Sequence, residues 1–439
     1  MPSNNTKENL LIAGIALFTF LELGAFTFLN KIFSPQVNSL VFLTSGMLVG
    51  ILFILYFYNK KTLDTPRINP SLREKAALAA VIIIGIIGCI LAISPIIQSV
   101  GMSDFYKAKG SDIIPSMGII VDRFLDGEFP YYPILVNEWA FDHQLFPTYL
   151  PTFWGAFIIP HLLHIDYRWW ALVVWLIVFL WFEKQLLLSG LRLGKFIFLA
   201  SLPFLFLFLI AVFSAKGIFQ YSVEPLIVAY YILFALSLTT NSWKLQAAAL
   251  LLCLLSRYSV VLWLPLFFAV LYLKDKKAPG YKIIAFLALG FLVLYAPFLM
   301  VDYTIFQQGY EHYSGATLSV WQPQHWQVNQ SRPDLLYRGY GMAWFAYENF
   351  AGDLAEKIKT YKSLHLALSL FTVFVSGLFF LKIKNKIDYR IFLVGALKIY
   401  IVVFTHFLQM PFDYLYILPI FMSIPLLHIL LTQKTTTVT

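Results

Sequence analysis

A chain of 439 residues that is 59% hydrophobic, 18% aromatic and only 13% charged excludes a water-soluble globular protein, whose composition carries about 25% charged residues. Its mean hydropathy of +0.74 points to a polytopic membrane protein. The formal net charge of +9 does not indicate a nucleic-acid partner, because the basic residues gather in short loops, as in membrane proteins whose cytoplasmic loops are enriched in Lys and Arg.

Apolar runs of about 17 to 25 residues recur, each long enough to cross ~30 Å of hydrocarbon as a helix. This pattern argues against a membrane β-barrel, whose strands alternate over about 10 residues. The spans are read in chain order as 9–29, 37–58, 77–98, 169–188, 196–214, 219–239, 245–257, 258–274, 281–301, 363–382, 390–408 and 413–431. The first, Leu10–Leu29, is long for a signal peptide and lacks a small-residue cleavage site, so it reads as a retained helix. Twelve crossings put both termini on one side. Loop 59–75, with Lys60, Lys61, Arg67, Arg73 and Lys75, shares a face with basic loops 273–282 and 381–390, and that face is expected to be cytoplasmic. The expected fold class is all-α: a polytopic helical bundle of about 12 transmembrane helices, one integral-membrane domain over residues 1–439. Cys89 and Cys253 lie inside apolar runs and read as core residues, implying neither a disulfide framework nor a metal cluster.

Two long segments fall on the outer face, 99–168 and 302–362, and are expected to carry juxtamembrane helices. With the short outer ends they collect 16 of the 23 acidic residues. Their wealth of Tyr, Trp, Phe and Pro argues against disorder, and long ordered loops are usually functional. In the first, Met117, Ile120, Val121, Phe124 and Leu125 recur at helical spacing after Pro115, with Asp122 and Asp126 opposite. This predicts an amphipathic helix ending near Gly127 and lying in the membrane interface, Asp122 and Asp126 forming its solvated face. Asp104 and Asp112 sit upstream, where the chain leaves or re-enters the interface; Asp112 also suits a helix start. The stretch PTYLPTFWGAFIIPHLLHI (147–165) is apolar but interrupted by Pro147, Pro151 and Pro160. A crossing there would turn loop 273–282 outward, so it reads as a re-entrant or membrane-surface element.

The order of GEFPYYP (127–133), FPTYLPTFW (146–154), DYRWW (166–170), SVEPLIVAYY (222–231) and LLSRYSVVLWLPLF (254–267) resembles the GT-C superfamily of integral-membrane glycosyltransferases, over roughly residues 77 to 305. The resemblance implies a mannosyltransferase-like enzyme taking a lipid-linked donor, a polyprenyl-phosphate sugar. The acceptor it implies is a glycan, a lipid or a protein. It also implies a general base among the early outer aspartates. Two helices precede the helix leading into the acidic loop, where many members have one. The acidic doublet often found at the catalytic position is replaced by Ser-Asp-Phe at 103–105 and Ser-Asp-Ile at 111–113. Asp112 and Asp104 are both candidates for the base, Asp112 leading on its spacing to GEFPYYP.

Such chemistry needs a carboxylate to deprotonate the acceptor hydroxyl, and attack opposite the leaving group inverts the anomeric centre. It also needs cationic stabilisation of the departing phosphate, from side chains or a divalent cation such as Mg or Mn. Arg257, between two short apolar runs, either grips phosphate in a bidentate manner or snorkels to the headgroups. Glu224, before Pro225, either favours a helix dipole or, through the resemblance, belongs to the site. In the second outer segment, Trp321, Trp326, Tyr337, Tyr340, Trp344 and Tyr347 with Gln322, Gln324, Gln327 and Asn329 suit sugar stacking or an interfacial aromatic belt. Arg332 and Arg338 are further phosphate contacts, and Tyr131 of GEFPYYP a further substrate contact. His312 and His325 lack the fixed spacing of metal ligands, and no metal site is assigned.

Glu22 and Lys398 are charges within spans, where an ion pair needs side-chain reach. Glu22 is also the one feature favouring transport. A secondary transporter or lipid flippase is the alternative from another class, but it would show internal repeats and broken helices at the midplane. An O-antigen ligase or polymerase would instead carry basic and His residues throughout its outer loop. Phosphate-loop, dinucleotide and HExxH motifs are absent from the sequence. Compact loops and the lack of a transit peptide suit a bacterial inner membrane, with the active site extracytoplasmic.

Overall fold

A computed structural model describes residues 4–62, 69–101, 113–136, 143–214, 217–274, 280–323, 332–433 and 435–437. Among the described residues, eight helices are long and apolar enough to cross a membrane: Thr6–Thr27, Pro35–Phe57, Leu72–Gln98, Tyr167–Leu187, Leu193–Phe213, Leu354–Ile383, Tyr389–His406 and Asp413–Thr432. Four shorter apolar helices, Glu224–Leu238, Trp243–Leu254, Tyr258–Lys274 and Gly280–Leu294, occupy the remaining runs. Breaks in the chain explain their length. The helix before Tyr295 stops there and Ala296–Val301 restarts with Pro297 in its first turn, since proline cannot continue the preceding hydrogen-bond ladder. At ~1.5 Å per residue, Gly280–Leu294 covers only about 22 Å.

The bundle has two chemically distinct ends. At one, Lys60 pairs with Glu8 at 3.1 Å and the Asn59 N–H donates to Lys386 O. At the same end Arg390 Nη1 donates to Asn241 Oδ1. Residues 60–62 also pair antiparallel with 435–437 there, and 134–136 pair likewise with 143–145 in the first outer segment. These three-residue ladders are additions to the all-helical expectation.

At the other end lie the two outer segments. Ile113–Leu125 is the expected amphipathic helix, with Met117, Ile120 and Val121 buried and Asp122 and Asp126 exposed. Gly127 ends it at φ +76°, a conformation glycine adopts without strain. The 147–165 stretch forms Pro151–Trp154, a 3₁₀ turn at Gly155–Phe157 and Ile158–Leu162. That is about 18 Å of broken helix, too short to span hydrocarbon. The second outer segment folds as Ile305–Trp321, a 3₁₀ turn at Asp334–Tyr337 and Ala343–Asn349, around its own apolar cluster.

The core is tightest where Pro35–Phe57 crosses Tyr389–His406. A Cβ on Gly50 would meet Gly395 O at 3.0 Å and Ile399 Cγ1 at 2.5 Å, and one on Gly395 would meet Ile54 Cγ1 at 2.6 Å. Small residues let two backbones approach in this way within a membrane. Beside the crossing, Lys398 Nζ donates to Glu22 Oε1 and Oε2 at 2.6 and 2.8 Å, and to Pro419 O at 2.6 Å. Ser423 Oγ donates to Glu22 Oε2 at 2.9 Å. The side-chain reach required of these two charges is therefore present. Cys89 and Cys253 are buried free thiols.

Candidate functional site

A cavity of ≈ 520 Å³ opens where several stretches meet: Ile113, Thr148–Tyr149 with Phe153, Ser222–Glu224, Ser256–Tyr258, Gly309, Tyr310, Tyr313 and Tyr414. Among the described residues its lining carries five tyrosines, two serines and a threonine, and Glu224 and Arg257 are its charged members.

Local chain breaks place that pair. The chain from Tyr221 to Val223 is non-helical, and Glu224 opens the next helix with Pro225 in the first turn. Its N–H donates to Ser222 Oγ. Arg257 is extended, between the end of Trp243–Leu254 and the 3₁₀ turn Tyr258–Trp263, so its side chain leaves the hairpin at its tip. Just beyond, Ser259 is held twice: its hydroxyl lies 2.6 Å from Tyr231 OH, and its carbonyl accepts from Tyr400 OH. The broken 147–165 element docks on the same tip. Thr152 N–H donates to Leu255 O, Thr152 Oγ1 donates to Leu252 O, and Thr152 O accepts from Tyr230 OH.

Arg257 and Glu224, named separately from the sequence, are thus brought together. Arg257 Nη1 donates to Glu224 Oε1 at 2.5 Å and Nη2 donates to Oε2 at 2.7 Å. The carboxylate is 2% exposed and the guanidinium side chain 27%, so the arginine lies on the cavity side of the pair. Bidentate pairing replaces snorkelling as the account of Arg257, and Glu224 does more than face a helix dipole.

The remaining named residues stand elsewhere. Tyr131 is buried behind Tyr149, donating to its carbonyl at 2.9 Å and accepting from Trp154 Nε1 at 3.1 Å. Burial raises its phenol above the ordinary range; it supports the cavity wall without lining it. Arg338 pairs with Asp334 at 3.0 Å and Asp413 at 3.3 Å. Burial alone would lower its guanidinium, but these two carboxylates raise it. Arg332 is exposed and stacks over the Tyr337 ring, 5.2 Å from its centroid. Neither arginine lines the cavity. Trp321 is fully buried and donates Nε1 to Gln409 O, within the cluster that also holds Trp344 and Tyr361. Asp104, Asp112 and Trp326 lie outside the described residues, as do Gln324, His325, Gln327 and Asn329.

Asp122 is exposed as expected, and also pairs with His161 Nε2 at 2.8 Å, whose Nδ1 lies 2.6 Å from Tyr167 OH. Among the described residues, no group of three or more His, Cys, Asp or Glu is placed to hold a metal ion.

Two contributions escaped the sequence reading. Among the described residues, the tyrosines that face the cavity are Tyr149, Tyr258, Tyr310, Tyr313 and Tyr414, while Trp321 and Trp344 do not line it. The three-residue spacing of Tyr310 and Tyr313, which puts them on one helix face, was the available signal. Arg168 ties the outer chain together: Nη2 donates to Val100 O at 2.9 Å, Nη1 to Gln220 O at 3.0 Å and Nε to Asp166 Oδ1 at 2.9 Å. No known protein family, curated protein or solved structure matches this chain.

Proposed function

We propose that this protein is an inverting membrane glycosyltransferase that moves a sugar from a polyprenyl-phosphate donor to a glycan, lipid or protein acceptor on the extracytoplasmic face. The observation that carries the reading is the Glu224–Arg257 pair in the wall of a hydroxyl-lined cavity. Its volume falls in the range of small-molecule sites. Arginine suits a phosphate at the lipid interface, and tyrosine rings with serine and threonine hydroxyls suit a sugar. The cavity's lining stretches belong to the end of the bundle away from the Lys60, Lys386 and Arg390 contacts, which agrees with an extracytoplasmic site under the positive-inside rule.

In this reading the four shorter helices complete twelve crossings of a bacterial inner membrane in a GT-C-like arrangement. The base is Asp112 in preference to Asp104, because Asp112 directly precedes Ile113, which lines the cavity; neighbouring Cα atoms are about 3.8 Å apart. The transporter alternative rests on Glu22, which is paired with Lys398. The test is release of polyprenyl phosphate by the purified full chain from a panel of polyprenyl-phosphate hexoses and pentoses, with membrane extract as acceptor, with and without Mg or Mn. Turnover of one donor is expected. A folded protein silent across the panel overturns the reading in favour of transport or ligation.

A further inference from the structure

The fork of Arg257, the geometry that recognises a phosphate, is already engaged by a carboxylate. Both Nη atoms donate to Glu224, one to each oxygen. Glu224 is 2% exposed whereas Arg257 keeps 27% of its side chain open to the cavity. Among the described residues these two are the charged groups of the lining, and their charges cancel each other. The pair is also held rigidly: Glu224 opens a helix behind Ser222, and Arg257 lies two residues before Ser259, which Tyr231 and Tyr400 hold. An incoming anion therefore meets a fixed cation whose charge is cancelled from behind.

We propose that Glu224 is a built-in competitor for the anion at Arg257, a positioning residue that keeps phosphate binding weak enough to be reversible. The consequence for turnover rests on the glycosyltransferase reading. A sugar-linked donor is a phosphodiester with one negative charge, whereas the lipid phosphate left after transfer is a monoester approaching two at neutral pH, its second pKa being about 6. A fixed carboxylate behind the arginine repels the product more than the donor and favours its release. A merely scaffolding glutamate predicts the opposite: losing it would misplace Arg257 and weaken anion binding.

The test uses the full chain in nanodiscs and measures binding of farnesyl phosphate, farnesol and inorganic phosphate. Wild type is expected to bind farnesyl phosphate better than farnesol through Arg257, and Arg257→Gln to abolish that difference. Inorganic phosphate binding as well as farnesyl phosphate would identify a free-phosphate site; preference for farnesyl phosphate identifies a lipid headgroup. Glu224→Gln removes one negative charge roughly 5 Å from the bound anion, which at an effective dielectric constant of about 20 tightens binding by about tenfold or more. Glu224→Asp keeps the charge but draws it back by one methylene, and should tighten binding less; it serves where the glutamine variant does not fold. Weaker or unchanged affinity in both Glu224 variants overturns the proposal, as does equal binding of farnesyl phosphate by wild type and Arg257→Gln. If sugar transfer exists, Glu224→Gln should lower kcat and KM together, the mark of trapped product. Silence in the transfer assay with the binding pattern intact would remove the glycosyltransferase reading and leave the anion site standing.

Discussion

Lys398 and Glu22 form a fully buried ion pair, joined through 2.6 and 2.8 Å hydrogen bonds between helices 376 residues apart in sequence. Pro419 O and Ser423 Oγ complete the network, so each charge has partners that water cannot supply in hydrocarbon. Removing one member leaves the other as an uncompensated buried charge. Glu22→Gln or Lys398→Met should each cost about 3–5 kcal/mol. The double variant Glu22→Leu/Lys398→Met should recover most of that loss. Thermal unfolding in one detergent, compared across the four proteins, decides it: two small single-variant effects would show that the pair is not a structural tie.

The crossing of Gly50 over Gly395 makes a second prediction. Gly50→Ala puts a methyl 3.0 Å from a main-chain oxygen that cannot move aside like a side chain. A loss of about 1–3 kcal/mol is expected from overpacking. A Cβ on Gly118, in the amphipathic helix, would meet Tyr167 OH at an ordinary 3.9 Å and nothing nearer among the described residues. There alanine should be neutral or stabilise by up to about 1 kcal/mol. Equal melting temperatures for the two variants would contradict the close crossing.

Arg168 is the third. Its guanidinium serves Asp166, Gln220 and Val100 at once, and lysine keeps the charge but lacks the planar fork. Arg168→Lys should cost about 2–4 kcal/mol through several charge-assisted bonds. It should also loosen the chain leading into the cavity, because Gln220 leads into Ser222–Glu224. Hydrogen exchange at residues 99–101 and 220–223 should rise in the variant; unchanged protection there would show that Arg168 does not hold these stretches.

The long helices were legible because an uninterrupted apolar run admits few alternatives in hydrocarbon. Their breaks were missed: 281–301 reads as one span in the sequence, although Pro297, which cannot continue a helix, was the signal for the break at Tyr295. The three-residue ladders at 60–62 and 435–437 were not legible, since so short a strand has no period to read. Glu224 and Arg257 could each be singled out as charges beside apolar runs, but their bond joins chain breaks 33 residues apart that only packing aligns. The second outer segment shows the limit most clearly. Its tryptophans were as suited to a sugar platform as its tyrosines, yet Trp321 turned inward to Gln409 while Tyr310 and Tyr313 line the cavity. Composition states how many rings are present, and burial selects which ones face a ligand.

The last prediction separates the two aspartates. Under the glycosyltransferase reading Asp112 is the proposed base, because it directly precedes Ile113, which lines the cavity. Asp104 lies eight residues before Asp112. A general base must lie within hydrogen-bond reach of the proton it takes, and its loss typically removes about 10²–10⁴-fold of the rate. Asp112→Asn should therefore reduce sugar transfer by at least about a hundredfold at unchanged donor KM, whereas Asp104→Asn should retain most of it. Farnesyl phosphate binding, which depends on Arg257, should survive in both and serves as the folding control. The reverse ranking would assign the base to Asp104, and full activity in both would remove an outer-loop aspartate from the mechanism altogether.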